Sequence, residues 1–333
     1  LNNLKISQDE ILRYDQNILK NIKIINQKRN PKINLKYFQY LALLFTEIFL
    51  DNLKNTKQEF LSKLNEFVNK YTKEKEINFI DNFCEDDLKK LAFWMATGSG
   101  KTLIAHINYY QFLHYKPFDP DNILLITPNE GLSKQHFEEL QKSGIPAKLY
   151  TGSLNGSFRN ESEILVIEIT KLAEDKKGAG ITLPIDAFEG KNLLFVDEGH
   201  KGRQSEEKVW AKRRDILAKN GFVFEYSATF GQILNLNNKE IFKDYAKSII
   251  FDYSYKYFYL DGYGKDFYVL NLSLKQSVSD QEFQETVFIA NLLSFYQQLL
   301  AYEENKDLAK EYGIENPLWI FVGTTVTGKE EES

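Results

Sequence analysis

The sequence predicts an α/β protein, with a parallel sheet covered by helices on both faces and a helical region at its N-terminus. Three observations predict it. From Leu91 onward, short apolar runs alternate with helix-like stretches, the rhythm of strands joined by right-handed helical crossovers. Several of these runs are almost continuously apolar, as strands buried on both faces are. The residues with chemistry to offer fall where a run ends, and open parallel sheets hold their ligands beyond the carboxyl ends of their strands.

Taken in order, residues 1–90 read as helices. Leu1 to Asn30 is polar, Lys-rich and helical in pattern, and Leu41, Leu44, Phe45 and Ile48 recur at helical spacing. Lys54 to Lys75 is helical again but so charged that it reads as a solvated face. Strands are expected at Leu91–Met95, Ile123–Thr127, Ala147–Tyr150, Ile164–Ile169, Asn192–Val196 and Phe222–Tyr226. Helices are expected at Lys101–Tyr115, Gly131–Ser143 and Glu206–Asn220. The aromatic runs Tyr253–Leu260 and Phe267–Leu272 flank Asp261-Gly-Tyr-Gly264 and predict a hairpin. A helix is expected over Asp280–Asn305 and a new strand from Pro317. The domain organisation predicted is an N-terminal helical extension (1–35), one α/β domain (36–305) with a helical insertion near 52–90, and the start of a second, truncated domain (306–333).

Hydrophobic residues at 43% and charged residues at 27% of the 333 favour a packed core and argue against disorder. A net charge of −5 excludes a broadly basic surface, so any nucleic-acid contact has to be local. Cys84 is the one cysteine, which allows no intrachain disulfide and suits a cytoplasmic location. The polar start carries no secretory signal. The longest apolar run, Tyr40–Leu50, is too short for a bilayer and contains Glu47, so no membrane association is expected. A chain that begins with Leu1 and stops after an acidic tail is expected to be a piece of a longer protein.

Phe93-Trp-Met-Ala-Thr-Gly-Ser-Gly-Lys-Thr102 sets a Gly-rich loop between an expected strand and an expected helix, the context that makes a phosphate loop credible. Gly98 and Gly100 let the backbone curl around an anion, and Thr97, Ser99 and the freed N–H groups at the helix start would face it. Lys101 would reach the β- and γ-phosphates of ATP, and Thr102 would offer its hydroxyl to Mg²⁺. The strict pattern places Gly where Met95 stands. In isolation the segment also fits a Gly turn with an incidental lysine.

Downstream, Lys191-Asn-Leu-Leu-Phe-Val-Asp-Glu-Gly-His200 is an apolar strand ending in two carboxylates. Asp197 would hold Mg²⁺, Glu198 would polarise the attacking water, and His200 would sense the γ-phosphate. Tyr226-Ser-Ala-Thr-Phe230 ends another buried strand, with Ser227 and Thr229 as small hydroxyl donors suited to contacting Asp197 or His200.

Together these segments resemble the superfamily 2 helicases and translocases of the DEAD/DEAH type. The phosphate loop is similar to motif I, Val196–His200 to motif II and Ser227–Thr229 to motif III. Leu125-Ile-Thr-Pro-Asn129 with Leu132 and Gln135 resembles motif Ia, and Ile169-Thr-Lys-Leu172 resembles motif Ib. Motif II of the family usually carries Ala or Cys where Gly199 stands. The resemblance implies a RecA-like P-loop domain, with Thr127, Asn129 and Thr170 near a nucleic-acid backbone. Met95–Thr102, Asp197–Gly202 and Glu225–Gly231 narrow the likeness to the motor (Res) subunit of type III or type I-like restriction enzymes. Leu35-Lys-Tyr-Phe-Gln39 is similar to the adenine-binding segment of that group, so Gln39 would read the adenine edge with Tyr37 or Phe38 nearby.

The implied function is the ATP-binding and hydrolysing lobe of a DNA translocase or helicase in a restriction system, acting on duplex DNA. Its implied partners are a second RecA-like lobe and a methyltransferase or specificity subunit. Pro317–Thr325 resembles the opening strand of that second lobe, and the last arginine is Arg214, so no arginine finger follows it. The chain alone is expected to be weakly active, since such a finger is worth ~10³–10⁵ in rate. No nuclease cluster is legible. An RNA helicase lobe, a nucleotide-binding regulatory module that never turns over, and a small-molecule P-loop kinase remain alternatives.

Overall fold

The computed structural model describes residues 6–76, 80–152, 162–173, 182–198, 208–232, 234, 239–265 and 280–320. The chain divides into two compact units, Leu1–Lys265 and Asp266–Ser333.

The first unit opens with three helices, α1 (Gln8–Ile25), α2 (Tyr37–Asn55) and α3 (Lys57–Glu74). Ser7 caps α1: its hydroxyl accepts the Glu10 N–H at 3.2 Å while Glu10 Oε2 accepts the Ser7 N–H at 2.7 Å. One face of α1, including Tyr14, Ile18 and Ile25, is buried. Helix α3 buries little beyond Phe60 and Val68, in keeping with a solvated charged face.

The strands and helices of the α/β part then follow in chain order: β1 (Lys90–Met95), α4 (Lys101–Tyr115), β2 (Asn122–Thr127), α5 (Glu130–Lys142), β3 (Ala147–Leu149) and β4 (Ile164–Glu168). A short pair, β5 (Leu172–Ala173) and β6 (Leu183–Pro184), precedes β7 (Asn192–Asp197), α6 (Lys208–Ala218), β8 (Phe222–Ser227), α7 (Lys239–Ser248) and β9 (Ile249–Tyr253). Seven strands form one sheet in the order β3-β4-β2-β7-β8-β1-β9, every pair parallel.

The apolar runs predict a sheet covered on both sides, and the burial follows the two-residue period of a strand. Leu193 and Phe195 join the core that α1, α2 and α4 cover, whereas Leu194 and Val196 join the core that holds Leu217 of α6. The same alternation separates Leu125 from Leu124 and Ile126.

Glu47, which sits in the apolar run of α2, is fully buried and fully engaged. It accepts Asn17 Nδ2 of α1 at 2.8 Å, Gln111 Nε2 of α4 at 2.7 Å and the Tyr115 hydroxyl of α4 at 2.6 Å. Nearby, Asp51 accepts the Tyr14 hydroxyl at 2.7 Å and pairs with Arg13 at 2.5 Å. The N-terminal helices are therefore tied by polar bonds to the helix that follows the phosphate loop.

The expected hairpin after Tyr253 is not formed. Among the described residues strand β9 pairs with β1 alone, in parallel, and the chain turns at Ser254 into a short helix, α8 (Tyr255–Leu260). A four-residue period wins over a two-residue one here: Tyr255 and Tyr259 lie on one helical face with ring centroids 6.1 Å apart. Phe267–Leu272, the other half of that expectation, lies outside the described residues.

Within the second unit, α9 (Asp280–Glu304) matches the expected helix and is followed by α10 (Lys306–Glu311). Trp319 packs on Phe288 and Phe295 of α9. The expected strand from Pro317 has no regular structure over 317–320, and its continuation lies outside the described residues. Among the described residues no helix is long and apolar enough to cross a membrane.

Candidate functional site

The order of the sheet brings three strand ends together. Strand β8 lies between β1 and β7, with Trp94 opposite Ser227 and Asp197 opposite Tyr226. The loop after β1 therefore opens beside the carboxylates that end β7, with the Ser227–Thr229 segment between them.

The loop has the shape a phosphate requires. Gly98 at φ 84° and Gly100 at φ 93° occupy the left-handed region, where a Cβ is strained. A Cβ on Gly100 would also strike the Gln39 amide. Ser99 is buried, and its hydroxyl donates to the Ala96 carbonyl at 2.6 Å, while Thr97 and Gly98 are exposed. The Lys101 ammonium turns back into the loop, 3.3 Å from the Met95 carbonyl and 3.5 Å from that of Ala96. Burial pushes its pKa below the ordinary lysine value, opposed by the charges of Glu198 and Asp197.

Gln39, far upstream in sequence, lies against this loop. Its Nε2 donates to the Ser99 carbonyl at 2.8 Å and its Oε1 accepts the Lys36 N–H at 2.9 Å. These two bonds use one of the two amide N–H groups and one of the two oxygen lone pairs. Of its aromatic neighbours, Phe38 is buried and stacked on Tyr253 at 4.0 Å, while Tyr37 is exposed.

At the end of β7, Asp197 Oδ1 accepts the Glu198 N–H at 3.1 Å and Oδ2 accepts His136 Nε2 at 2.9 Å. Burial works to raise its pKa, but the His136 hydrogen bond and charge, the Lys101 charge and the Glu198 N–H together hold it below the usual value. Glu198 has φ 55°, a strained conformation for a residue other than glycine. Lys101, Thr102, His136, Asp197 and Tyr226 line one small pocket.

This arrangement suits a nucleotide phosphate and Mg²⁺. The glycine cradle admits an anion, Lys101 supplies a cation inside it, and Thr102 and Asp197 supply the oxygen donors that a hard cation prefers. Among the described residues no group of three or more His, Cys, Asp or Glu side chains is arranged to hold a metal. A magnesium ion held mainly by phosphate oxygens and water needs none.

The remaining predicted residues divide. Ser227 is buried and accepts the Thr229 N–H at 3.0 Å. Asn129 is exposed and caps α5 by accepting the Leu132 N–H at 2.9 Å. Thr170 is exposed, its hydroxyl bonded to Glu168 at 2.6 Å. Thr127 is different: it is fully buried, with its hydroxyl on Ser133 at 2.5 Å and on the Asn129 carbonyl at 3.2 Å. It shapes the loop and offers no surface to a nucleic acid. His200 lies outside the described residues.

Sequence reasoning missed His136. Its signal was helical phase, because Ser133, His136 and Leu140 form the buried face of α5 while Gln135 points out to solvent. Tyr226 was also missed. It is buried, stacked on Phe93 at 5.2 Å and bonded through its hydroxyl to Asn108 at 2.8 Å.

Residues 52–232, more than half of the chain, match the family described as type III restriction enzyme, res subunit. The chain belongs to that family. A Res-type chain is a helicase-like motor of superfamily 2, and the parallel sheet with its strand-end loops is the RecA-like domain expected of one. Among solved structures, this Res-family chain is similar to the Sulfolobus solfataricus SWI2/SNF2 ATPase core in complex with dsDNA, at 17% identity and a TM-score of 0.37. That match covers 59% of this chain and 36% of the other. It is also similar to the UvsW helicase from bacteriophage T4, at 13% identity and a TM-score of 0.39, covering 75% of this chain and 68% of that one. No curated protein matches it.

Proposed function

We propose that this chain is the ATP-binding and hydrolysing lobe of a nucleic-acid-dependent motor, acting on duplex DNA within a restriction system. The observation that carries the reading is the meeting of Lys101, Thr102 and Asp197 around one pocket at the ends of β1 and β7, on either side of β8. Membership of the Res family supports the restriction setting.

In this reading, the backbone of Thr97–Gly100 and the start of α4 cradle the phosphates. Lys101 leaves the Met95 and Ala96 carbonyls to pair with the β- and γ-phosphate oxygens. Thr102 and Asp197 hold Mg²⁺, which when bound supplies positive charge against the triphosphate. Glu198 orients a water and takes its proton. Ser227 and Thr229 couple the carboxylates to the rest of the lobe, and His200 takes the part of γ-phosphate sensor. Gln39 reads the adenine edge with the donor it has left, and Asn129 and Thr170 contact the nucleic-acid backbone.

Arg214 is buried against Glu225 at 2.9 Å and is not available as an arginine finger. We also propose that a second RecA-like lobe supplies an arginine to the γ-phosphate, and that this lobe alone hydrolyses ATP slowly.

Calorimetric titration with Mg²⁺·ADP and Mg²⁺·ATP tests the site. The parent chain is expected to bind both and the Lys101→Ala variant neither. Equal binding by a folded Lys101→Ala variant would refute the assignment. Turnover with duplex DNA, single-stranded DNA and RNA then discriminates among the polymers.

A further inference from the structure

Helix α5 runs from an exposed N-cap to a buried side chain on the carboxylate that ends β7. Its N-cap is Asn129, exposed and bonded to the Leu132 N–H. Two turns later, about 10 Å along the axis at 1.5 Å per residue, His136 is buried with its Nε2 2.9 Å from Asp197 Oδ2. Between them, the Ser133 hydroxyl bonds the Thr127 hydroxyl at the end of β2 at 2.5 Å. The helix is a stiff rod with one end at the surface and one side chain on the candidate metal carboxylate.

The geometry of that contact fixes the roles. The His136 Nε2 to Asp197 Oδ2 distance of 2.9 Å is that of a hydrogen bond, with the ring N–H as donor and the carboxylate oxygen as acceptor. Oδ1 takes the Glu198 N–H and Oδ2 takes the histidine. One bond on each oxygen restricts the rotation of the carboxylate, which lines the same pocket as Lys101 and Thr102. The contact does not come from the phosphate loop, from β7 or from the segment after β8. It comes from the element that begins at the proposed nucleic-acid contact.

We propose that His136 is the positioning residue for Asp197, and that through it α5 links nucleic-acid contact at Asn129 to the strength of metal–nucleotide binding. A shift or tilt of α5 on polymer binding moves the His136 donor, and with it the carboxylate. The inference rests on the nucleotide-site reading above and adds to it the route by which the polymer regulates that site.

The test separates the two. ADP affinity is measured by calorimetry on the whole chain, with and without Mg²⁺ and with and without duplex DNA, for the parent and for the His136→Ala, His136→Gln and Lys101→Ala variants. Thermal unfolding of each variant is recorded beside it. For His136→Ala, Mg²⁺-free ADP affinity is expected to stay at the parent value. The Mg²⁺-dependent gain should fall about 10- to 100-fold, the usual cost of losing a group that orients a metal ligand. Duplex DNA should shift Mg²⁺·ADP affinity in the parent and no longer shift it in His136→Ala. His136→Gln sets an amide donor near the place of Nε2 and should restore both effects. That rescue would exclude a merely structural role, and it carries the test if His136→Ala fails to fold.

A His136→Ala variant that keeps the parent's Mg²⁺ dependence overturns the proposal, as does a folded His136→Gln variant no better than alanine. A parent whose Mg²⁺·ADP affinity ignores DNA overturns the linkage. If Lys101→Ala binds Mg²⁺·ADP like the parent, the site reading falls and this inference with it. If Lys101→Ala loses binding while His136→Ala changes nothing, the inference alone falls.

Discussion

The Gln39 amide donates to the Ser99 carbonyl at 2.8 Å, so helix α2 is latched onto the phosphate loop. Its other end accepts the Lys36 N–H and holds the start of α2 in place. One side chain thus joins the N-terminal helices to the loop that would hold phosphate.

Replacing Gln39 by alanine should free the Ser99 carbonyl in a buried setting and lower stability by about 1–3 kcal/mol, the usual cost of an orphaned buried polar group. Replacement by glutamate should be worse for nucleotide affinity, because a carboxylate would face that carbonyl and add negative charge beside the phosphates. Urea unfolding and ADP titration of both variants check this. If Gln39 also reads the base, both variants should lose their preference for ATP over GTP.

Glu198 carries two separable features, a carboxylate and a left-handed backbone. Glu198→Gln should keep Mg²⁺·ATP binding and lower ATP turnover by about 10²–10⁴-fold, the range for a lost general base. Glu198→Gly should lose turnover equally, yet relieve local strain worth about 1–2 kcal/mol, offset by the greater freedom of glycine in the unfolded chain. Single-turnover kinetics and thermal unfolding distinguish the two substitutions. Equal loss of binding and turnover in Glu198→Gln would instead indicate a structural role.

Glu47 is buried among donors from Asn17, Gln111 and Tyr115. Glu47→Ala orphans all three and should cost about 3–5 kcal/mol, as breaking a buried charged network does. Glu47→Gln keeps one acceptor and should cost clearly less. Burial raises the Glu47 pKa, with the three hydrogen bonds opposing. The folded state therefore holds this proton more tightly than the unfolded one. Its contribution to stability is full below the ordinary value of 4.5 and declines as pH rises through the raised folded value. Unfolding free energies measured from pH 4 upward should show this falling contribution in the parent and lack it in Glu47→Gln.

Arg214 and Glu225 form a fully buried ion pair, and Glu225 also accepts the Tyr245 hydroxyl at 2.7 Å. Arg214→Met should destabilise by about 3–5 kcal/mol, because it leaves a buried carboxylate short of positive charge. Adding Glu225→Gln should recover part of that loss, giving a measurable coupling in a double-mutant cycle. Additive effects would mean that the pair does not act as a unit.

Much of the site was legible along the chain because its chemistry is local. Gly98, Gly100 and Lys101 are close in sequence and need only a strand before them and a helix after them. Asp197 and Glu198 announce themselves as carboxylates at the end of an apolar run. The aromatic stretch after Tyr253 misled because its residues suit a strand by propensity. Its residues 255–260 form a helix instead, with Tyr255 and Tyr259 on one face.

The sequence by itself determined the α/β class, the positions of the glycine-rich loop and the acidic strand end, and the helical N-terminus, since each follows from local periodicity and turn chemistry. Only the tertiary structure decided that β8 lies between β1 and β7, that Gln39 reaches Ser99, that His136 holds Asp197 and that Thr127 is buried. Those outcomes depend on which strands pair and which helix face turns inward. That choice is made by burial across the whole sheet, which favours one packing over others that the same local pattern allows equally well.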